Sequence, residues 1–559
     1  MEERVGEWGT GRVSGSRSKD DLQTDVLIVG AGPVGMALAI GLARLSLRVR
    51  IVDKAPETKR EPRAAVVWPR AEEVLEDLRF VDAFQKVANE FHAVDIYSDG
   101  HHLGELDVGH VRSAHAYPLI IEQHETERLL AEHLGALGVC IEWRKEAGDV
   151  RLFDDRAEVV LRRADGAEEI VTASWVIGCE GASSVVREKA GIPFEGARRR
   201  NLQVVQANAT PTWRYADSPI RGYFFLVPRV ALGVFPIPGG GYRFFAFMTD
   251  PDPGQKDPPT LAKMREIVAG AAHEPELELE LTRPTWITHA RFQDRIASTL
   301  RRGRALLAGD AAHVWAPVGG HGMNAGLRGA HNLAWKLAAV HRGEARESVL
   351  DTYSEEQRAT ARAVIREMRF NVLELPLPPL GVLAVRALMP LVLSSETVKG
   401  RIEFALSDLG MHHRESPLSW HRRGSEGLRA GDRVPDVAVM VEGQRGDLHR
   451  LLSLKHWTLL LRPGRGEEAA ARNAREVAAS FRASIRAVSI APADANNRGI
   501  LGEDGMMALV RPDGYVGLIV RICNTRALRD YLDAFFMRKS RNPAASVAVT
   551  RAGVREAGG

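Results

Sequence analysis

Apolar residues fall in short runs near the start of the chain. Val26 to Val29 and Val49 to Val52 read as buried strands, separated by a glycine-rich turn and a helix from Met36 to Leu45. A further helix opens at Ile121–Leu130 and ends near Gly135. Strand-like alternation then runs from Val150 to Leu161 and from Ile170 to Ile177, with Asp165-Gly166 as a hairpin signal between them. Gly178 to Arg187 reads as a turn feeding a short helix. From Leu202 to Phe247 the pattern changes to strands rich in Tyr, Phe and Val with Pro-Gly turns, which predicts an antiparallel sheet. Arg304 to Ala308 is a short apolar strand, followed by Gly309-Asp310, a glycine-rich bend, and a helix to about Val340.

The rest of the chain is less periodic. Phe370 to Leu393 is apolar but carries Glu374, Arg386 and several prolines, which argues against a membrane span and for a buried or interface helix pair. A Gly- and Arg-containing linker around Arg422 to Asp432 precedes a smaller α/β unit. These patterns predict an α/β and α+β chain. Its segments are a disordered tail (1–20), a discontinuous nucleotide-binding unit (21–200), a sheet (201–290), a return with long helices (291–400), a linker (401–432), the smaller unit (433–540) and a second tail (541–559).

Two places carry candidate chemistry. Gly30, Gly32 and Gly35 have G-x-G-x-x-G spacing between a strand and a helix. The glycines permit a tight turn, close backbone approach to a pyrophosphate and helix–sheet contact. Asp53 ends the next strand, about 20 residues on, where an acid accepts from ribose hydroxyls. Far downstream, Asp310 stands at a strand end beside a helix start. A carboxylate there can bind sugar or ribitol hydroxyls, and the unpaired N–H groups of the helix favour an anion or a reduced ring.

Composition narrows the class. With 559 residues, 45% hydrophobic, the chain has material for more than one domain. A net charge of +3 leaves no nucleic-acid footprint. Three scattered cysteines, Cys140, Cys179 and Cys523, form neither a disulfide framework nor a metal cluster and fit a reducing, cytoplasmic setting. Cys179 reads as a small buried hydrophobe, His313 as a packing residue and Arg198 to Arg200 as a solvated loop.

Together these motifs resemble the class A flavoprotein monooxygenases, single-component FAD-dependent aromatic hydroxylases. The closest likeness is to the branch with phenol hydroxylase, 3-hydroxyphenylpropionate hydroxylase and the aromatic polyketide hydroxylases. The markers are the glycine fingerprint, Glu180-Gly181 where the family has its "DG" turn, and Gly309-Asp310 with Pro317 to Asn324. The resemblance implies a Rossmann-type, p-hydroxybenzoate hydroxylase-like FAD domain, a substrate sheet, and a C-terminal thioredoxin-like domain. That last domain lacks Cys-x-x-Cys here and would serve packing or dimerisation; a homodimer is one assembly the reading allows.

The resemblance also implies roles for particular residues. Gly30, Gly32 and Gly35 would lie under the pyrophosphate of a non-covalent FAD, with Gly181 nearby. Asp53 and Lys54 would meet the adenosine ribose, and Ala147 the adenine. Arg63, Gln123 and Asp310 would contact the cofactor and its ribityl chain, while Gly322, Met323 and Asn324 would face the pyrimidine side of the isoalloxazine. His321, Tyr223, Trp68, Arg70 and Pro317 are the substrate-pocket candidates. NAD(P)H, with NADPH favoured, would reduce the flavin, dioxygen would add to give a flavin hydroperoxide, and its distal oxygen would transfer to a small phenolic or polycyclic aromatic.

The chain departs from the family at Asp53 (commonly Glu), at Glu180, and at Arg328-Gly329, where Gln-Asp is frequent. Baeyer–Villiger or epoxidising chemistry on the same fold stays open. Halogenation is demoted because Trp286-Ile-Thr-His does not fit the Trp-x-Trp-x-Ile-Pro signature. An NAD-dependent dehydrogenase or a non-catalytic nucleotide-binding protein has no need of the second, Asp310-centred site.

Overall fold

The computed structural model describes residues 23–58, 61, 63–109, 111–249, 257–282, 286–420, 427–494 and 503–539. Both segments expected as tails lie outside the described residues.

The strand Thr24–Val29 is buried along its whole length because it sits in the middle of a parallel sheet. It pairs with Val49–Asp53 on one side and Glu168–Gly178 on the other. Ala305–Leu307 then adds in parallel beside Val176–Gly178, although some 130 residues intervene. All these strands run the same way, so Gly30, Asp53, Gly178 and Gly309 reach one edge together. Ligands collect at that edge in open parallel sheets. The alternation from Val150 to Leu161 is two strands rather than one, Lys145–Leu152 and Ala157–Arg163. The polar pair Asp154-Asp155 breaks it, and Phe153 N donates to Arg156 O at 2.8 Å to close the turn.

The second sheet has nine strands, antiparallel except where Arg221–Val227 runs parallel to Ala93–Ser98. Its long strand Phe194–Thr212 pairs with Tyr242–Thr249 and Ile287–Ala297. Arg198 to Arg200 lie in this strand and not in a loop, and Arg199 Nε meets Asp294 at 2.6 Å. One face of the sheet is covered by the helix Leu261–Ala272, which packs on Tyr223, Phe225, Tyr242 and Phe244. The other face presents Phe224, Phe235, Phe245 and Phe247 to a cavity.

Phe370 to Leu393 contains one helix, Pro379–Leu393, and the second member of the expected pair, Glu396–Leu406, follows it at a bend of 103°. Val382, Met389 and Leu393 are buried, whereas Leu380 is 80% and Leu391 69% exposed, so the helix is only half covered. Among the described residues no single helix is long and apolar enough to cross a membrane.

Within the expected linker 401–432, the described residues 401–420 and 427–432 are packed rather than free. The helix Glu396–Leu406 enters it, Leu418 and Ala430 are fully buried, and Tyr531 Oη donates to Leu418 O at 2.9 Å. The segment packs because the C-terminal unit shares a continuous core with the first domain. Trp457 and Trp335 meet edge to face at 5.4 Å. In that unit Trp457–Arg462 and Ile485–Pro492 are parallel across the helix Glu468–Ala479. Met506–Val510, Val516–Arg521 and the helix Thr525–Phe535 then complete the layer.

A buried ionic cluster ties the two parts. Glu356 accepts from Arg511 at 2.7 and 2.9 Å, from Lys336 at 2.7 Å and from Asn332 at 2.8 Å, all within a fully buried setting.

Candidate cofactor and substrate cavity

The glycine turn after the first strand is built for close approach. Gly30 has φ +106°, and a Cβ on it would lie 2.5 Å from the Cys179 carbonyl carbon. A Cβ on Gly35 would lie 2.0 Å from Gly30 O, so that glycine lets the helix Pro33–Arg44 sit on the strand. Gly32 faces open space instead. Asp53 fixes the turn from the side, accepting from Ala31 N at 2.7 Å and Ala55 N at 2.8 Å.

The turn forms one end of a cavity of about 1770 Å³. Gly30, Gly32, Asp53, Lys54, Arg63, Gln123, Ala147 and Gly181 line that end, Asp310, Gly322 and Met323 its middle, and Trp68, Pro317 and His321 the passage beyond. The volume exceeds what a single drug-sized ligand needs, leaving room for an extended cofactor and a substrate.

Asp310 projects into the middle of the cavity from a 3-10 turn, and its carboxylate has no hydrogen-bond partner among the described residues. It lines this cavity below the protein surface, and desolvation there raises its pKa to about 6 despite the opposing charge of Arg63. The helix His321–His341 starts beside it after Gly319 (φ 74°) and Gly320 (φ 67°). First-turn N–H groups of a helix lack intrahelical acceptors, and Gly322 leaves open space in front of them. An acceptor for hydroxyls, donors for an anion and glycine-cleared backbone at Gly32, Gly181 and Gly322 match the donor set that FAD requires.

Four sequence candidates do not line the cavity. Gly35 is consumed in helix–strand packing. Tyr223 is on the opposite face of its strand, under the helix Leu261–Ala272, with its hydroxyl donated to Ala216 O. Strand alternation is fixed, and Phe224 takes the cavity side. Arg70 is buried between domains, bonded to Glu73 at 3.0 Å and to Asp513 O at 2.7 Å. Asn324 turns its side chain away from the cofactor space. Its Oδ1 accepts from Trp68 N at 2.8 Å, while Nδ2 donates to Val66 O and Gly320 O at 3.0 and 2.8 Å. It shapes the loop that carries Trp68, whose Nε1 donates to Gly319 O at 2.9 Å.

Two residues here, Asp408 and Glu374, were not among the sequence candidates for the site. Asp408 is buried against His321 Nδ1 at 3.1 Å and Arg328 at 3.4 Å, which accounts for the arginine on this helix. Burial works against ionising Asp408, but Arg328 and His321 hold its pKa low. Burial likewise works against protonating His321, but Asp408 raises its pKa overall. His313, buried beside Trp315, is driven down to about 4 and is neutral. Burial raises the pKa of Glu180, opposed by the hydrogen bond it accepts from Val186 N at 2.8 Å. Glu374 accepts from Gly319 N at 2.6 Å at the cavity wall. Its sequence signal was an isolated acid within an apolar run.

Comparison with known proteins settles the family. A family model described as FAD binding domain matches residues 23–368, and one described as aromatic-ring hydroxylase, C-terminal, matches 428–538. The chain is 34% identical over 556 residues to the 6-methylpretetramide 4-monooxygenase of Streptomyces rimosus, covering 92% of this chain and 93% of that protein. The chain belongs to the class A flavoprotein monooxygenases. Pentachlorophenol 4-monooxygenase of Sphingobium chlorophenolicum is 27% identical over 550 residues, at 92% and 97% coverage. A ternary complex of aklavinone-11 hydroxylase with FAD and aklavinone superposes with a TM-score of 0.69 at 26% identity, over 92% of this chain and 98% of that one. As a monooxygenase of this class the protein is an FAD-dependent oxidoreductase.

Proposed function

We propose that this monooxygenase hydroxylates a phenolic or polycyclic aromatic compound with NAD(P)H, NADPH favoured, as the reductant. The observation that carries the reading is the continuity of one cavity from the glycine turn, past Asp310, into a chamber walled by Phe224, Phe235, Phe245, Phe247 and Met389. FAD, when bound, supplies the acceptance of hydride and the activation of dioxygen.

The protein supplies binding and electrostatics. Gly30 and Gly32 would carry the pyrophosphate, with Gly181 beside it. Lys54 and Ala147 would meet the adenosine, and Asp53 would hold the turn that receives it. Asp310 would accept from the ribityl hydroxyls. The helix start at Gly322-Met323 would stabilise negative charge on the reduced ring, since first-turn N–H groups have no intrahelical acceptors. Gln123 accepts from Ala64 N at 3.2 Å and donates one Nε2 hydrogen to Glu127 at 2.8 Å, so it would order the ribityl side of the wall and keep its second Nε2 hydrogen for the cofactor. Trp68, Pro317 and His321 would form the passage between cofactor and substrate.

The C-terminal βαβ–ββα order supports a thioredoxin-like reading of that unit. Cys523 is its lone cysteine, so it has no internal dithiol to cycle. The three unpaired cysteines support a reducing, cytoplasmic setting.

Phenols and polyketide aromatics are screened for stimulated NAD(P)H oxidation by the FAD-loaded protein, with product mass and ring position read alongside. A product one oxygen heavier, hydroxylated on the ring, is expected. NAD(P)H oxidation that no aromatic stimulates defeats the reading.

A further inference from the structure

The substrate chamber has a charge pattern of its own. Its walls come from the apolar face of the second sheet and from the helices Ser348–Glu367, Pro379–Leu393 and Glu396–Leu406. Among the described residues lining the cavity, the lysine and arginine side chains are Lys54, Arg63 and Lys145, all at the glycine-turn end. In the chamber His313 is neutral, and His321 is paired with Asp408, which Arg328 also neutralises. The carboxylates at this end are Glu374, in the wall, and Glu367.

Glu374 is placed to meet a ligand. One carboxylate oxygen is held by Gly319 N at 2.6 Å, and the other has no partner among the described residues. Gly319 belongs to the turn that launches the helix His321–His341, so the carboxylate stands beside the passage where cofactor and substrate meet. Burial raises its pKa to about 7, opposed by the Gly319 N–H and by His321.

We propose that Glu374 is the substrate-recognition group of this chamber, accepting a hydroxyl of a neutral hydroxyarene, so that the site selects phenols over aromatic carboxylates. The proposal rests on reading the chamber as an aromatic-substrate site. A ring hydroxyl donating to a buried carboxylate makes a charge-assisted bond that a methyl ether cannot make. Above the Glu374 pKa, at about pH 8.5 where the affinities are compared, an arene carboxylate would be buried against a like charge with no lysine or arginine to compensate it.

The test uses FAD-loaded protein and three probes on one ring system: anthracen-2-ol, 2-methoxyanthracene and anthracene-2-carboxylate. Affinities are read from flavin absorbance changes. The wild type should bind the alcohol about tenfold tighter than the ether, with the carboxylate weakest. Glu374→Gln still offers an oxygen to Gly319 N–H. It should lose the preference for the alcohol over the ether and bind the carboxylate better, with FAD content unchanged. Equal binding of alcohol and ether by the wild type, or no binding of the alcohol, overturns the proposal. If the Gln variant does not hold FAD, this wild-type comparison decides. Phenol-stimulated NADPH oxidation is measured in parallel on a wider panel. Stimulation together with an unchanged alcohol preference in Glu374→Gln removes the Glu374 assignment alone. No stimulation in the wild type overturns the parent reading and this one with it.

Discussion

Replacing Asp310 with Asn should move two observables in opposite directions. The side chain keeps its shape, but the ribityl hydroxyls lose a charged acceptor, a loss of about 1.5–3 kcal/mol for a hydrogen bond to an ionised group. FAD affinity should therefore fall roughly ten- to a hundredfold. The apo-protein should respond differently. Burial raises the Asp310 pKa from 3.8 to about 6, so ionising it in the folded state without FAD opposes folding. That handicap is absent below about pH 4, develops between about pH 4 and 6, and is complete above. Apo Asp310→Asn should accordingly melt higher than apo wild type above pH 6 and match it near pH 4. FAD favours the ionised carboxylate, so wild-type affinity should rise with pH through about 6, whereas this contribution is missing from the variant. Equilibrium dialysis and flavin fluorescence give the affinities, and calorimetry of both apo-proteins gives the melting difference. Unchanged FAD affinity in the variant would falsify the assignment of Asp310 to the cofactor.

Glu356→Ala strands Arg511 and Lys336 in the core and should destabilise the protein by about 3–5 kcal/mol in denaturant titrations; a change below 1 kcal/mol would show that the domains are not joined through this cluster. Tyr223→Phe should leave turnover unchanged because its ring lies on the far side of the sheet, whereas Phe224→Ala, which enlarges the chamber, should alter KM across a series of arenes. The reverse ranking would put Tyr223, and not Phe224, on the chamber side of the strand. Cys523→Ser should leave NAD(P)H oxidation and product yield unchanged, because the thiol is exposed and its unit contains no second cysteine; lost turnover with full FAD content would call for a thiol step.

Local chemistry made the cofactor end legible. Gly30, Gly32 and Gly35 follow a buried strand and open a helix, and the backbone conformation they permit depends on no distant residue. Asp53 and Asp310 were recognisable in the same way, as acids at strand ends. The fold class followed from the changes of period along the chain, since a strand's two-residue repeat and its bounding turns are properties of neighbours.

Side-chain destination was decided elsewhere. Which face of Arg221–Val227 meets the chamber depends on where the helix Leu261–Ala272 docks, so Tyr223 and Phe224 could not be told apart along the strand. Arg70 was drawn away from the pocket by Asp513 and Glu73, and Asn324 by the backbone around Trp68. In both cases burial obliges a polar group to take the nearest partner, and that partner is 250 or more residues away for Asp513 and Trp68. Asp408 and Glu374 carry no motif. Asp408 acquires its role only where folding buries it against His321 and Arg328, and Glu374 only where an apolar chamber, with no lysine or arginine among its described lining, closes around it, because the low dielectric of a buried site strengthens each polar contact made there.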